Sequence, residues 1–138
     1  MEPITVAVTV DAPIGQVWQS FTNPSEVVKW NAASPDWHSP QAENDLRVGG
    51  KFNYRMEAKD GSTGFDFEGT YTAVEPQESF SYVLEDGRQI KVTFKVMEGG
   101  VEVVEIFDPE TENPVEMQRA GWQAILDNFK SYVEGKGK

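Results

Sequence analysis

"KFNYRMEAKDGSTGFDFEGTYTAVE", residues 51–75, decides the fold. In its first half Phe52, Tyr54 and Met56 share one face, while Lys51, Asn53 and Arg55 share the other. In its second half Phe65, Phe67 and Tyr71 oppose Asp66 and Glu68. Alternation of this kind marks a half-buried strand, because successive side chains leave opposite faces of an extended backbone. Asp60-Gly61 lies between the two runs and has the residue types that a primed hairpin turn requires. The stretch therefore predicts a β-hairpin with one aromatic face and one wet face.

The pattern extends in both directions. Gly49-Gly50 punctuates the upstream side and Pro76 interrupts the downstream side. Phe80, Tyr82 and Leu84 then alternate up to Asp86-Gly87, and Ile90, Val92, Phe94 and Val96 lead to Gly99-Gly100. Lys91, Thr93 and Lys95 face the other way, as expected of an antiparallel sheet with one solvated face. In the last run, Val101, Val103, Glu105 and Phe107 share one parity, and Val104 and Ile106 share the other. Either set suits a core.

Helical signals flank the strands. Ile4, Val6, Val8 and Val10 open the chain as a strand, and Pro13 then precedes Val17, Trp18 and Phe21 at helical spacing. Asn23, Pro24 and Glu26 supply a cap, a first-turn proline and a capping-box carboxylate for a second short helix ending near Trp30. Asn113, Pro114 and Glu116 repeat that signature before a long helix that runs to about Val133, after which "EGKGK" is expected to fray. On this helix Glu116, Gln123, Asp127, Lys130 and Glu134 form a narrow polar stripe. The remaining apolar arc is wider than one-sided packing needs. One flank is bulky, with Val115, Trp122, Leu126, Phe129 and Val133; the other mixes Met117, Gln118, Gly121, Ala124, Ile125 and Asn128. Small and amide side chains on a core-facing arc hint at a cavity.

The 138 residues suit one domain, residues 1–138, with an ordered core over about 4–134. Twelve Lys and Arg against 23 Asp and Glu give a net charge of −11, which disfavours nucleic acid and anionic membrane surfaces as partners. The absence of cysteine excludes disulfides, thiol catalysis and thiolate metal sites. One histidine serves a metal poorly, and "DPETEN", residues 108–113, lacks the spacing and glycine of a calcium loop. Neither Gly-Gly pair opens a helix, so no phosphate cradle is implied, and no cofactor is expected. "MEPITVAVTVD", residues 1–11, does not read as a signal peptide, and no apolar run could span a bilayer. A cytoplasmic monomer is expected.

"DAPIGQVWQSFTNPSEVVKW" (11–30), "ENDLRVGGKFNYRMEAKDGS" (43–62), "FEGTYTAVEP" (67–76) and "GWQAILDNFKSYVE" (121–134) resemble the START-like (SRPBCC) superfamily. Within it, they are similar to the branch of the activator of heat-shock-protein-90 ATPase, which also holds proteins like an enediyne self-resistance protein. The resemblance spans about residues 4–134. It implies an α+β helix-grip fold: strand, two short helices, six-stranded antiparallel meander, and a long C-terminal helix over a concave sheet with an internal cavity. The superfamily includes lipid carriers, metabolite binders, polyketide cyclases and co-chaperone domains, so fold alone does not choose among them.

Within such a fold the expected cavity walls are Tyr54, Met56, Phe67, Tyr71, Tyr82 and Phe94 from the sheet, with Met117, Gly121 and Ile125 from the last helix. Gln118 and Asn128 are candidate polar anchors. Trp37 and His38, in "VVKWNAASPDWHSPQAENDL" (27–46), would form the rim, and Trp30 reads as core filler. Aromatic walls favour flat ligands of flavonoid- or polyketide-like type. The leading expectation is a non-enzymatic binder of a small hydrophobic or aromatic metabolite. A co-chaperone-like module with a chaperone or other protein partner is the rival. A cyclase- or dehydratase-type enzyme is a third reading, with His38 and Glu105 as its acid–base pair. Ser34 and Ser39 lie near His38 but in no strained elbow motif, so a serine nucleophile is not implied.

Overall fold

The computed structural model describes residues 2–136; Gly137 and Lys138, in the tail expected to fray, lie outside them. The elements are β1 (Ile4–Val10), α1 (Ile14–Thr22), α2 (Pro24–Trp30), β2 (Trp37–Asn44), β3 (Lys51–Ala58), β4 (Gly64–Glu75), β5 (Ser79–Val83), β6 (Gln89–Met97), β7 (Gly100–Phe107) and α3 (Val115–Lys136). This is the α+β helix-grip order. β2 to β7 form an antiparallel meander, and β1 joins its last strand, giving the sheet order β1-β7-β6-β5-β4-β3-β2.

Register settles the parity left open in β7. Ile4 pairs with Phe107, Val6 with Glu105 and Val10 with Val101. Directly opposed residues of an antiparallel pair share a face. The alternation of β1 therefore turns Val101, Val103, Glu105 and Phe107 inward, and leaves Ile106 38% exposed opposite Thr5. Irregularities between His38 and Gln41 in β2 and between Tyr71 and Ala73 in β4 break the strict ladder. Such bulges bend strands and help a sheet to curl.

The hairpin turns differ from the primed type expected. Gly61 N–H donates to the Ala58 carbonyl and Gly87 N–H to the Leu84 carbonyl, both at 2.9 Å. The positive φ falls on Gly61 (78°) and Gly87 (90°), not on the preceding Asp60 and Asp86. One extra residue lets an ordinary turn with a left-handed glycine close the hairpin, so the aspartates avoid the strain a primed turn would impose. Their carboxylates instead accept the backbone N–H two residues on, at Ser62 (2.8 Å) and Arg88 (3.1 Å).

Asn23 caps α2 as predicted, its side chain accepting from Ser25 N–H at 3.1 Å. At the start of α3 the described bonds come from other groups. Gln118 folds back, its Nε2 donating to the carbonyls of Glu110 (3.0 Å) and Asn113 (2.8 Å) and its Oε1 accepting from Glu110 N–H (2.9 Å). The Glu110 carboxylate accepts from the N–H groups of Glu112 and Asn113, which hold it below the usual carboxylate range. The helix then continues past Val133 to Lys136.

Leu126, Phe129 and Val133 plug α3 into the sheet. Phe21 of α1 is the hub, its ring 5.0 Å from Phe129, 5.2 Å from Trp30 and 5.4 Å from Phe94. Trp30 fills core as read, and its indole N–H donates to the buried Ser20 carbonyl at 2.9 Å. The polar stripe of α3 lies along β1, an edge strand. Gln123 Nε2 donates to the Ala7 carbonyl (3.0 Å), Lys130 Nζ to the Thr9 carbonyl (2.7 Å), and Glu134 accepts from Asp11 N–H (2.9 Å). Lys130 also pairs with Glu134. An open strand edge invites pairing with other chains, and this row of side chains occupies it.

Candidate ligand cavity

Between the sheet and α3, packing leaves a cavity of about 160 Å³. Alternation along the strands supplies its floor: Tyr54 and Met56 from β3, Phe65 and Phe67 from β4, Tyr82 from β5 and Glu105 from β7. The roof is Trp122 and Ile125 of α3, and the end wall is Phe21, Trp30 and Asn31. Phe65 is 50% exposed and stands where the cavity meets solvent. Trp37 leans on it from β2, ring centroids 6.1 Å apart.

Two polar groups face this aromatic chamber. Glu105 is only 8% exposed, yet no hydrogen bond or ion pair to its carboxyl is described. Burial alone pushes its pKa up to about 8. Removing a carboxylate from water without a partner favours the protonated acid. The Asn31 amide donates to the Met56 thioether sulfur at 3.1 Å, a weak acceptor. Beside Glu105, Tyr82 is raised well above the ordinary phenol value, first by burial and then by the nearby carboxylate. Tyr54 is raised chiefly by burial as well, with the neighbouring Tyr71 hydroxyl adding to it. The Tyr71 hydroxyl donates to Asn44 Oδ1 at 2.7 Å, and Asn44 Nδ2 donates to the Thr22 carbonyl at 2.7 Å. That chain ties the sheet to the end of α1.

The structure sorts the residues named from sequence into separate places. Tyr54, Met56, Phe67, Tyr82, Ile125 and Glu105 come together around the cavity. Tyr71 and Phe94 are buried beside it in the ring cluster, with Phe94 packed edge-on to Trp18. Met117 is 62% exposed, away from the cavity, because α3 turns its bulky flank to the sheet. Gln118 caps α3, and Gly121 adds nothing to the cavity wall described. Asn128 Nδ2 donates to the Trp30 carbonyl at 2.8 Å and so clamps α3 to α2. Trp37 and His38 line an open depression between α2 and α3, together with Asn128 and Ser39. His38 and Glu105 therefore border different hollows, and the acid–base pair expected from sequence is not assembled. Among the described residues no cluster of histidine and carboxylate is placed to hold a metal, and no helix is long and apolar enough to cross a membrane.

Phe21, Trp30, Asn31, Phe65 and Trp122 were not foreseen as walls, Trp30 having been read as core filler. Phe65 shares strand parity with Phe67 and could have been found that way. Asn31 follows a helix end whose direction only tertiary packing decides.

A curled antiparallel sheet gripping a C-terminal helix, with a cavity between them, defines a START-like helix-grip protein. The profile of the family described as "Activator of Hsp90 ATPase homolog 1-like protein" matches residues 11–134, and the chain belongs to that family. It is similar to the AHSA1-like protein from Aeromonas hydrophila, whose solution structure shares 47% identity and a TM-score of 0.92 over 98% of this chain and 94% of that one. A protein from Cytophaga hutchinsonii shares 48% identity and a TM-score of 0.83, over 97% of this chain and 93% of that one. A protein from Nitrosomonas europaea, at 16% identity with a TM-score of 0.83 over 99% of this chain and 96% of that one, shares the fold. No curated protein matches the chain.

Proposed function

We propose that this protein binds a small, largely apolar or aromatic molecule in the cavity between the sheet and α3. The observation that carries this reading is a ring-walled hollow with the largely buried Glu105 carboxyl in its wall. Apolar walls with a few polar groups are how small-molecule sites are built. Volume limits the guest. About 160 Å³ is close to the engineered apolar cavity of about 150 Å³ that takes benzene. A flavonoid- or polyketide-sized ligand, favoured from sequence, would have to displace Phe65 and Trp37 at the mouth.

Tryptophan fluorescence and amide NMR shifts during titration with single-ring aromatics test the reading. Saturable shifts centred on Phe67, Trp122 and Glu105 support it; no saturable response across a broad panel ends it. A protein-docking role has less support. The large exposed apolar side chains lie on different elements, with Val48 between β2 and β3, Phe65 on β4 at the cavity mouth, Val96 and Met97 ending β6, Ile106 on β7, and Val115 and Met117 starting α3.

A further inference from the structure

We propose that the guest's polar group is a basic nitrogen: the cavity is built for a small organic nitrogen base, held as its cation against the Glu105 carboxylate. The inference rests on the cavity-binding reading above and specifies its ligand. Three features of the chamber point the same way.

The first is charge. Glu105 is the one carboxylic acid on the cavity wall, and no Lys, Arg or His lines the chamber with it. An anionic guest would meet a carboxyl and no countercharge. The net charge of −11 also repels anions and draws cations from a distance.

The second is the wall. Ring faces carry negative quadrupole density and attract a cation placed over them, most strongly for Trp. Trp30, Trp122, Tyr54, Tyr82, Phe21 and Phe67 supply such rings. A neutral carbonyl compound could accept one hydrogen bond from the acid but would leave that density unused.

The third is proton balance. Burial keeps the free carboxyl protonated near neutral pH. When a neutral base enters, the acid O–H bond breaks and an N–H bond forms, so the chamber gains an ion pair and no net charge. When the base arrives already protonated, Glu105 gives its proton to solvent.

The test uses the full chain with benzylamine as the probe, toluene as its uncharged counterpart and benzoate as the anion. Calorimetry at pH 7 in two buffers of different ionisation enthalpy reports protons released. Expected are benzylamine binding roughly tenfold or more tighter than toluene, close to one proton released per molecule bound, and no benzoate binding. Glu105→Gln should erase the benzylamine advantage over toluene; the proton count on the unaltered protein needs no variant. Toluene binding as tightly as benzylamine, or benzylamine binding without proton release, overturns the inference while the cavity reading stands. No binding by any of the three overturns both.

Discussion

The indole of Trp122 lies flat on the ring of Phe107, centroids 3.8 Å apart and planes within 13°. This stack fastens α3 to β7 two residues from Glu105, and its free side forms the cavity roof, meeting Phe67 edge-on at 6.0 Å. Trp122 is thus both a staple and a wall. Trp122→Ala should destabilise the fold by about 3 kcal/mol, since it removes ring burial and opens the core. Urea denaturation measures the loss. A change below about 1 kcal/mol would show that the stack is incidental.

Filling the cavity should separate binding from stability. Ile125→Phe places a ring in the roof and should weaken single-ring ligands by roughly tenfold or more, while stability stays within about 1.5 kcal/mol. Toluene titration monitored by NMR decides it; undiminished binding would move the site elsewhere.

Glu105 should give stability an inverted acid profile. Its folded pKa, about 8, lies above the unfolded reference of 4.5. Between these values the unfolded chain sheds a proton that the folded chain keeps. Stability therefore falls as pH rises through this window, at up to about 1.4 kcal/mol per pH unit, and the loss is complete above the folded pKa. Glu105→Gln should remove that slope. Urea midpoints at pH 5.5 and 8 for both proteins measure it, and parallel profiles would refute it.

Gly69 sits buried among rings, and a Cβ there would meet Phe52 Cε1 at 2.9 Å and Tyr82 Cδ2 at 3.0 Å. Gly69→Ala should cost about 1–3 kcal/mol by forcing those rings apart. It should also perturb the cavity through Tyr82. Thermal unfolding and aromatic NMR shifts read both effects.

The row of bonds from α3 to β1 can be cut without touching the core. Gln123→Ala combined with Lys130→Ala should lower stability by about 1–3 kcal/mol and raise the tendency of the freed edge to self-associate. Denaturation and light scattering follow the two outcomes.

Much of the architecture was legible in the chain. The aromatic parity of residues 51–75 and the proline-led helix starts at Asn23-Pro24 and Asn113-Pro114 specify the order of elements, because strand and helix periods are local properties. The parity of Glu105 was not legible, since Val104 and Ile106 are as apolar as Val103 and Phe107. Only the pairing of Val6 with Glu105 decides it, across a hundred residues of chain. The cavity was half legible for the same reason. Its floor follows from alternation, while its roof depends on which flank α3 presents, and the bulky flank won because Trp122 could stack on Phe107.

The fastening of β1 by Gln123, Lys130 and Glu134 also has a meaning for biosynthesis. β1 is guarded by side chains made more than a hundred residues later. Until α3 is made that margin is bare, so the nascent chain is open to misassembly over that interval, and a stall within α3 would release a polypeptide with an unsealed seam.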